Sequence, residues 1–144
     1  MLRYVVDTSV IMHSLIEDMY SRQADSLLAL PLDTDTQLFV PEFCIAECVN
    51  VVWKHVRLFG MGRELGDSIL DKIDELPVEI FLFQPFLRDA YSIGLAHNLA
   101  IYDSIYIALA RDMNCPLITV DARQAAAAQA EQIVLKSITD FVPQ

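Results

Sequence analysis

The chain has 144 residues, 54% of them hydrophobic and 21% charged, with a formal net charge of −10. That is one domain's worth of sequence, residues 1–144; a globular domain of this length buries about 70% of its unfolded surface, and so apolar a chain is not a disordered one. The acid excess argues against broad tracking of a phosphate backbone, which needs clustered Lys and Arg, and no apolar run reaches the roughly 18–20 residues of a membrane span. The first residues lack the charged, apolar and cleavage regions of a signal peptide, so a cytoplasmic protein without membrane attachment is expected. Cys44, Cys48 and Cys115 are an odd count without a paired CxxC, and buried, reduced thiols are expected.

Arg3-Tyr4-Val5-Val6 predicts a short buried strand, and Asp7-Thr8-Ser9 the start of a helix carrying Val10, Ile11 and Leu15. A second helix is expected from about Ser21 to Leu30, closed by Pro31 and a polar turn. Gln37 to Val40 predicts a strand, and Pro41 the opening of a long helix with an apolar stripe of Ile45, Val49, Val52, Trp53 and Val56. The end of that helix runs into a stretch holding Lys54, Arg57 and Arg63 without an acid. This is either favourable charge at a helix C-terminus or a binding surface for RNA or a protein partner. Helices are expected over 64–75, with Leu65, Ile69, Leu70 and Ile73 apolar, and over 86–97, with Phe86, Ala90, Ile93 and Leu95. The strand Val78–Phe81 lies between them.

A helix beginning near Tyr102 places Ile101, Ile105, Ala108, Leu109 and Met113 on one face and Asp103 in its first turn. A fourth strand, Leu117 to Val120, leads into Asp121 and a short Ala-rich helix over 122–130. Ile133 to Leu135 is a last strand candidate, and the tail from Ser137 is expected at the surface. Strands alternating with helices, without hairpin signals, predict an α/β sandwich around a mainly parallel sheet of four or five strands. Right-handed crossovers would bring the ends of the first and fourth strands, and with them Asp7 and Asp121, to one edge.

Taken singly, Asp7, Asp103 and Asp121 each fit a helix start, a place where carboxylates are welcome. Glu47 lies mid-helix, where no capping role exists. Four ionised carboxylates brought together would repel one another unless a cation intervened. An all-oxygen set without clustered His or Cys favours Mg²⁺ or Mn²⁺ over zinc. Thr8, Ser9 and Thr119 are placed to hydrogen-bond those carboxylates. No GxxxxGK[ST] or GxGxxG motif is present, which argues against a glycine-loop nucleotide site.

Four segments together carry a resemblance: Val5-Val6-Asp7-Thr8-Ser9-Val10; Pro41-Glu42 through Glu47; Tyr102-Asp103-Ser104-Ile105-Tyr106-Ile107-Ala108-Leu109-Ala110; and Leu117-Ile118-Thr119-Val120-Asp121. In order and approximate spacing they resemble the PIN domain across nearly the whole chain, the YD-x-x-Y-x-ALA helix being the most specific part. The resemblance implies a three-layer α/β/α sandwich and a Mg²⁺- or Mn²⁺-dependent ribonuclease. Asp7, Glu47, Asp103 and Asp121 match the family's catalytic, metal-holding acids, through which a metal-activated water would attack an RNA phosphodiester. For a single domain of this length it implies a VapC-like toxin, neutralised by a small antitoxin and assembled as a homodimer. Two other readings differ in class. One is a catalytically idle PIN-like module that binds RNA or protein through Lys54, Arg57 and Arg63; the retained acids count against it. The other is a phosphoacceptor domain, which would need an acidic pair after the first strand where this chain has Thr8 and Ser9.

Overall fold

A computed structural model describes residues 1–143. Four parallel strands form the sheet in the order β3-β2-β1-β4: β1 Leu2–Val6, β2 Thr36–Pro41, β3 Glu79–Phe81 and β4 Leu117–Ile118. Val5, Val6, Phe39, Val40, Leu117 and Ile118 are all buried, as expected of central parallel strands whose two faces are both covered by helices. The helices are α1 Thr8–Leu15, α2 Ser21–Asp33, α3 Phe43–Leu58, α4 Arg63–Asp74, α5 Leu87–His97, α6 Ile101–Met113 and α7 Ala122–Ala130. Right-handed crossovers put α1 to α4 on one face and α5 and α6 on the other, which makes three layers and agrees with the helices that pack together. From β1 the chain moves outward to β2 and β3, then returns past β1 to β4. The strand order therefore reverses between β1 and β4, where open α/β sheets place their sites.

Several expectations need correction. Pro41 ends β2, opposite Phe81, and the helix begins two residues later at Phe43. Pro31 lies inside α2, not after it. Its missing N–H falls in the last turn, and the Thr34 backbone N–H (2.8 Å) and hydroxyl (2.7 Å) both close the helix on the Leu30 carbonyl. On α3 the buried face is Cys44, Cys48 and Val52, while Val49 and Trp53 are exposed, as are Leu65 on α4 and Leu95 on α5. Ile101, at the very start of α6, is also partly exposed, whereas Ile105 to Ala110 are buried.

β4 is only two residues long because the Thr119 hydroxyl accepts the Asp121 N–H at 3.0 Å, turning the chain out of the sheet. Residues 133–135 make one isolated bridge, Leu135 to Leu117, in place of a strand. The tail is not all surface: Ile138 and Phe141 are buried, with the Phe141 ring edge-on to Tyr4. The three cysteines are free and buried.

Candidate active site

Asp7 follows β1 directly and caps α1: its Oδ2 accepts the Ser9 N–H at 3.0 Å, and its own N–H bonds to the Ile118 carbonyl of β4. Asp121 follows β4 and caps α7, its Oδ1 accepting the N–H groups of Arg123 and Gln124. The capping roles and the edge position thus coexist. Asp103 stands in the first turn of α6 and Glu47 mid-way along α3, both half-buried.

Glu47 is held by a hydroxyl chain. Thr8 donates to Glu47 Oε1 at 3.0 Å, and the Tyr106 hydroxyl lies 2.7 Å from the Thr8 oxygen and 3.3 Å from Glu47 Oε1. With one proton on each hydroxyl, the arrangement that satisfies both runs Tyr106 to Thr8 to Glu47. A charged acceptor at its end strengthens both bonds. Tyr106 is buried, and that burial pushes its ionisation far upward, so it remains a donor.

Burial also raises the carboxyls of Asp7, Glu47 and Asp103 above the usual carboxylate range. Their mutual charges add to it. Asp7 is raised further by Asp121, Glu47 by Asp7 and Asp103, and Asp103 by Asp7 and Asp121. Asp7 therefore lies within electrostatic reach of all three other acids. The cation that offsets any of them is Arg123, exposed beside Asp103, with one guanidinium nitrogen on the Asn98 carbonyl.

The donor set suits a hard divalent ion, being all carboxylate oxygen and short of counter-charge. Among the described residues, however, no three His, Cys, Asp or Glu side chains are arranged to hold a metal ion. The four acids share one field; their oxygens do not converge on one point.

Of the three hydroxyls expected to meet the carboxylates, Thr8 does so; the Ser9 hydroxyl instead accepts the Val120 N–H at 3.4 Å, and the Thr119 hydroxyl accepts the Asp121 N–H at 3.0 Å and donates to Gln124 Oε1 at 2.6 Å, because both face the turn after β4. Lys54 and Arg57, further along α3, and Arg63, at the start of α4, are exposed. Arg57 and Arg63 border an apolar groove of about 530 Å³ between α3 and α4, lined by Val49, Val52, Trp53, Val56 and Leu70. Three residues of the site escaped the sequence reading: Tyr106, Arg123 and Gln124. Tyr106 lay within the most specific motif, three residues after Asp103, and that spacing on one helix face was its signal. Gln124, three residues after Asp121, had capping-box spacing.

A family profile described as PIN domain matches residues 4–130. Ribonuclease VapC3 of Pyrobaculum aerophilum is 25% identical over 126 residues, which is 86% of this chain and 93% of that protein. The crystal structure of PAE2754 from the same organism is similar with a TM-score of 0.73 at 19% identity, covering 96% of this chain and 92% of the other. A chain in the structure of VapBC2 from Rickettsia felis, bound to a DNA fragment from its promoter, is similar with a TM-score of 0.66 at 17% identity, over 94% and 98% of the two chains. The two structural likenesses speak to the fold alone.

Proposed function

Because this chain belongs to the PIN-domain family, we propose that it is an endoribonuclease dependent on Mg²⁺ or Mn²⁺, and the toxin of a toxin–antitoxin pair. The observation that carries the reading is the placement of Asp7 after β1, at the point where strand order reverses, with three further acids raising or sharing its field. Asp7, Glu47, Asp103 and Asp121 would hold the ion by turning their side chains inward from the separated positions described above. When bound, the ion supplies the positive charge that these acids lack and that a phosphodiester needs as it gains negative charge.

The chain's own residues prepare that chemistry. The Ser9 N–H and Gln124 fix the plane of the Asp7 carboxylate, and Thr8 and Tyr106 fix Oε1 of Glu47. Oε2 of Glu47, outside that chain, would be the oxygen to take a proton from an attacking water, and burial, which raises the Glu47 carboxyl, suits it to that task. Arg123 stands at the rim, where a guanidinium meets a phosphate. Lys54 and Arg57 lie on α3, about two and three turns beyond Glu47, and Arg63 opens α4. They suit a small antitoxin whose apolar residues enter the groove beside Trp53. Assembly as a homodimer in the cytoplasm completes the reading.

The test is cleavage of structured RNAs with Mg²⁺ or Mn²⁺, comparing the wild type with Asp7→Asn and Asp103→Asn. Each substitution should lower the rate at least about 100-fold, the scale of losing charge stabilisation at a phosphoryl centre. Equal cleavage by the variants would overturn the assignment of the acids. No metal-dependent cleavage by the wild type on any RNA would favour an idle binding module.

A further inference from the structure

We infer that Gln124 is a positioning residue, whose buried carboxamide ties together the segments carrying Asp7, Asp103 and Asp121. The inference rests on the reading that these acids hold a divalent cation.

Asp121 and Gln124 occupy the N-cap and third positions of α7, the spacing of a capping box. In that motif the Gln side chain turns back to the N-cap N–H. Here it does not. The Asp121 N–H goes instead to the Thr119 hydroxyl at 3.0 Å, and that hydroxyl donates to Gln124 Oε1 at 2.6 Å. The local cap is thus met by Thr119, and the Gln124 amide nitrogen is released for longer-range work. It donates to Asp7 Oδ1 at 3.2 Å and to the backbone carbonyl of Asp103 at 3.0 Å.

The orientation is unambiguous, because both groups facing Nε2 are acceptors and the group facing Oε1 has a proton to give. Both N–H bonds of the amide are used, and the side chain is fully buried, so water does not compete. One side chain on α7 therefore reaches the end of β1, the first turn of α6 and the turn after β4. Asp7 Oδ1 takes Gln124 and Oδ2 takes Ser9 N–H. A carboxylate has about four lone-pair sites, so each oxygen keeps one for a cation. A neutral donor orients Asp7 without neutralising it.

The experiment measures Mn²⁺ binding by calorimetry and by the spin-resonance signal of free Mn²⁺, together with thermal melting in chelator. It compares wild type, Gln124→Met, Thr119→Val and the double variant. Gln124→Met keeps length and volume but no hydrogen bond, and should weaken Mn²⁺ binding about 10- to 100-fold, the range for residues that orient metal ligands. Thr119→Val should weaken it in the same direction but less. The double variant should be no weaker than Gln124→Met, because the two act in one chain. A purely structural role would lower the melting temperature and leave Mn²⁺ affinity within about twofold, a margin of roughly 0.4 kcal/mol; that result overturns the inference. Should Gln124→Met fail to fold, unchanged affinity in Thr119→Val overturns it equally. A wild type that binds no Mn²⁺ overturns the metal reading itself, whereas a binding wild type matched by its variants overturns only the role of Gln124.

Discussion

Gly94→Ala tests how the position of Asp103 is set. Gly94 is buried in α5, and a Cβ there would lie 2.7 Å from the Leu99 carbonyl oxygen, 3.2 Å from Ile101 Cδ1 and 3.4 Å from Ser104 Oγ. Asn98, in the left-handed region at φ 51°, folds the chain back so that the Leu99 N–H bonds to the Gly94 carbonyl at 3.0 Å. A carbon and a carbonyl oxygen sit about 3.3 Å apart or more, so the Leu99 carbonyl would have to retreat by roughly 0.6 Å from its 2.7 Å position. Such overpacking costs about 1–3 kcal/mol, while replacing a helical Gly by Ala returns about 1 kcal/mol. The net loss of about 1 kcal/mol lowers the melting temperature by roughly 2–4 °C for a chain of this size. The displacement also passes along the chain, because the next carbonyl, that of Ala100, accepts both the N–H and the hydroxyl of Ser104. Asp103 lies within that turn. Sites tolerate about 0.5 Å of misplacement, and 1 Å costs on the order of 100-fold, so a loss of about 10-fold in metal-dependent cleavage is expected. Calorimetric melting and the rate of Mn²⁺-dependent RNA cleavage check the two arms. A variant more stable by the full helix-propensity gain, with an unchanged cleavage rate, would refute the close-approach argument.

Tyr106→Phe removes one buried hydroxyl from the chain to Glu47 and should cost about 1–2 kcal/mol, or roughly 2–8 °C in melting temperature; an unchanged melting curve would deny that chain its structural weight. The raised carboxyls of Asp7, Glu47 and Asp103 carry a pH signature. A carboxyl whose folded pKa exceeds its unfolded value of about 4 favours folding below that pH, and this contribution is lost as pH rises through the folded pKa. Metal-free protein should therefore lose stability from these groups above about pH 4, and Mn²⁺ should raise the melting temperature more at pH 7 than at pH 5. An equal rise at both pH values would contradict the assignment. Asp103→Asn removes one repelling charge from a carboxylate that makes no side-chain hydrogen bond among the described residues, so its metal-free melting temperature should exceed that of the wild type at pH 7 while the Mn²⁺ increment shrinks; a lower metal-free value would show that Asp103 is structural.

Sequence made the layers and the four acid positions readable because both rest on local signals. The apolar runs Tyr4-Val5-Val6 and Leu117-Ile118 mark strands buried on both sides; Asp7 follows the first directly and Asp121 follows the second after Thr119 and Val120. The failures were of another kind. The stripe of Val49 and Trp53 has helical spacing, yet the face that meets the core is Cys44, Cys48 and Val52, one position round the helix. Periodicity fixes the angle between apolar residues; the neighbouring elements decide which flank is covered. Phe141 was assigned to the surface because its partner, Tyr4, lies at the other end of the chain. Tyr106 and Gln124 were missed for the same reason. Their partners, Glu47 and Asp7, are distant in sequence, and a Tyr on an apolar helix or a Gln beside a cap gives no local sign of them.

The side chains that orient these acids are neutral, and that choice has a physical consequence. Thr8, Tyr106, Thr119 and Gln124 bring hydroxyl and amide hydrogens to the carboxylates or to each other, and none carries a charge. A Lys or Arg in the place of Gln124 would bring a positive charge against Asp7 and cancel part of the repulsion there. It would also fill the field that, on the proposed reading, a divalent ion enters, and the site would be permanently self-neutralised. Among the described residues, the cation beside these acids is Arg123, which is exposed, hydrogen-bonds the Asn98 carbonyl and offsets Asp103 only in part. The fold thus leaves the repulsion standing and holds it in a fixed geometry. On the proposed metal reading, stability forgone at this edge would become affinity for a cation from solution, because an ion that relieves the repulsion gains the free energy the repulsion had cost.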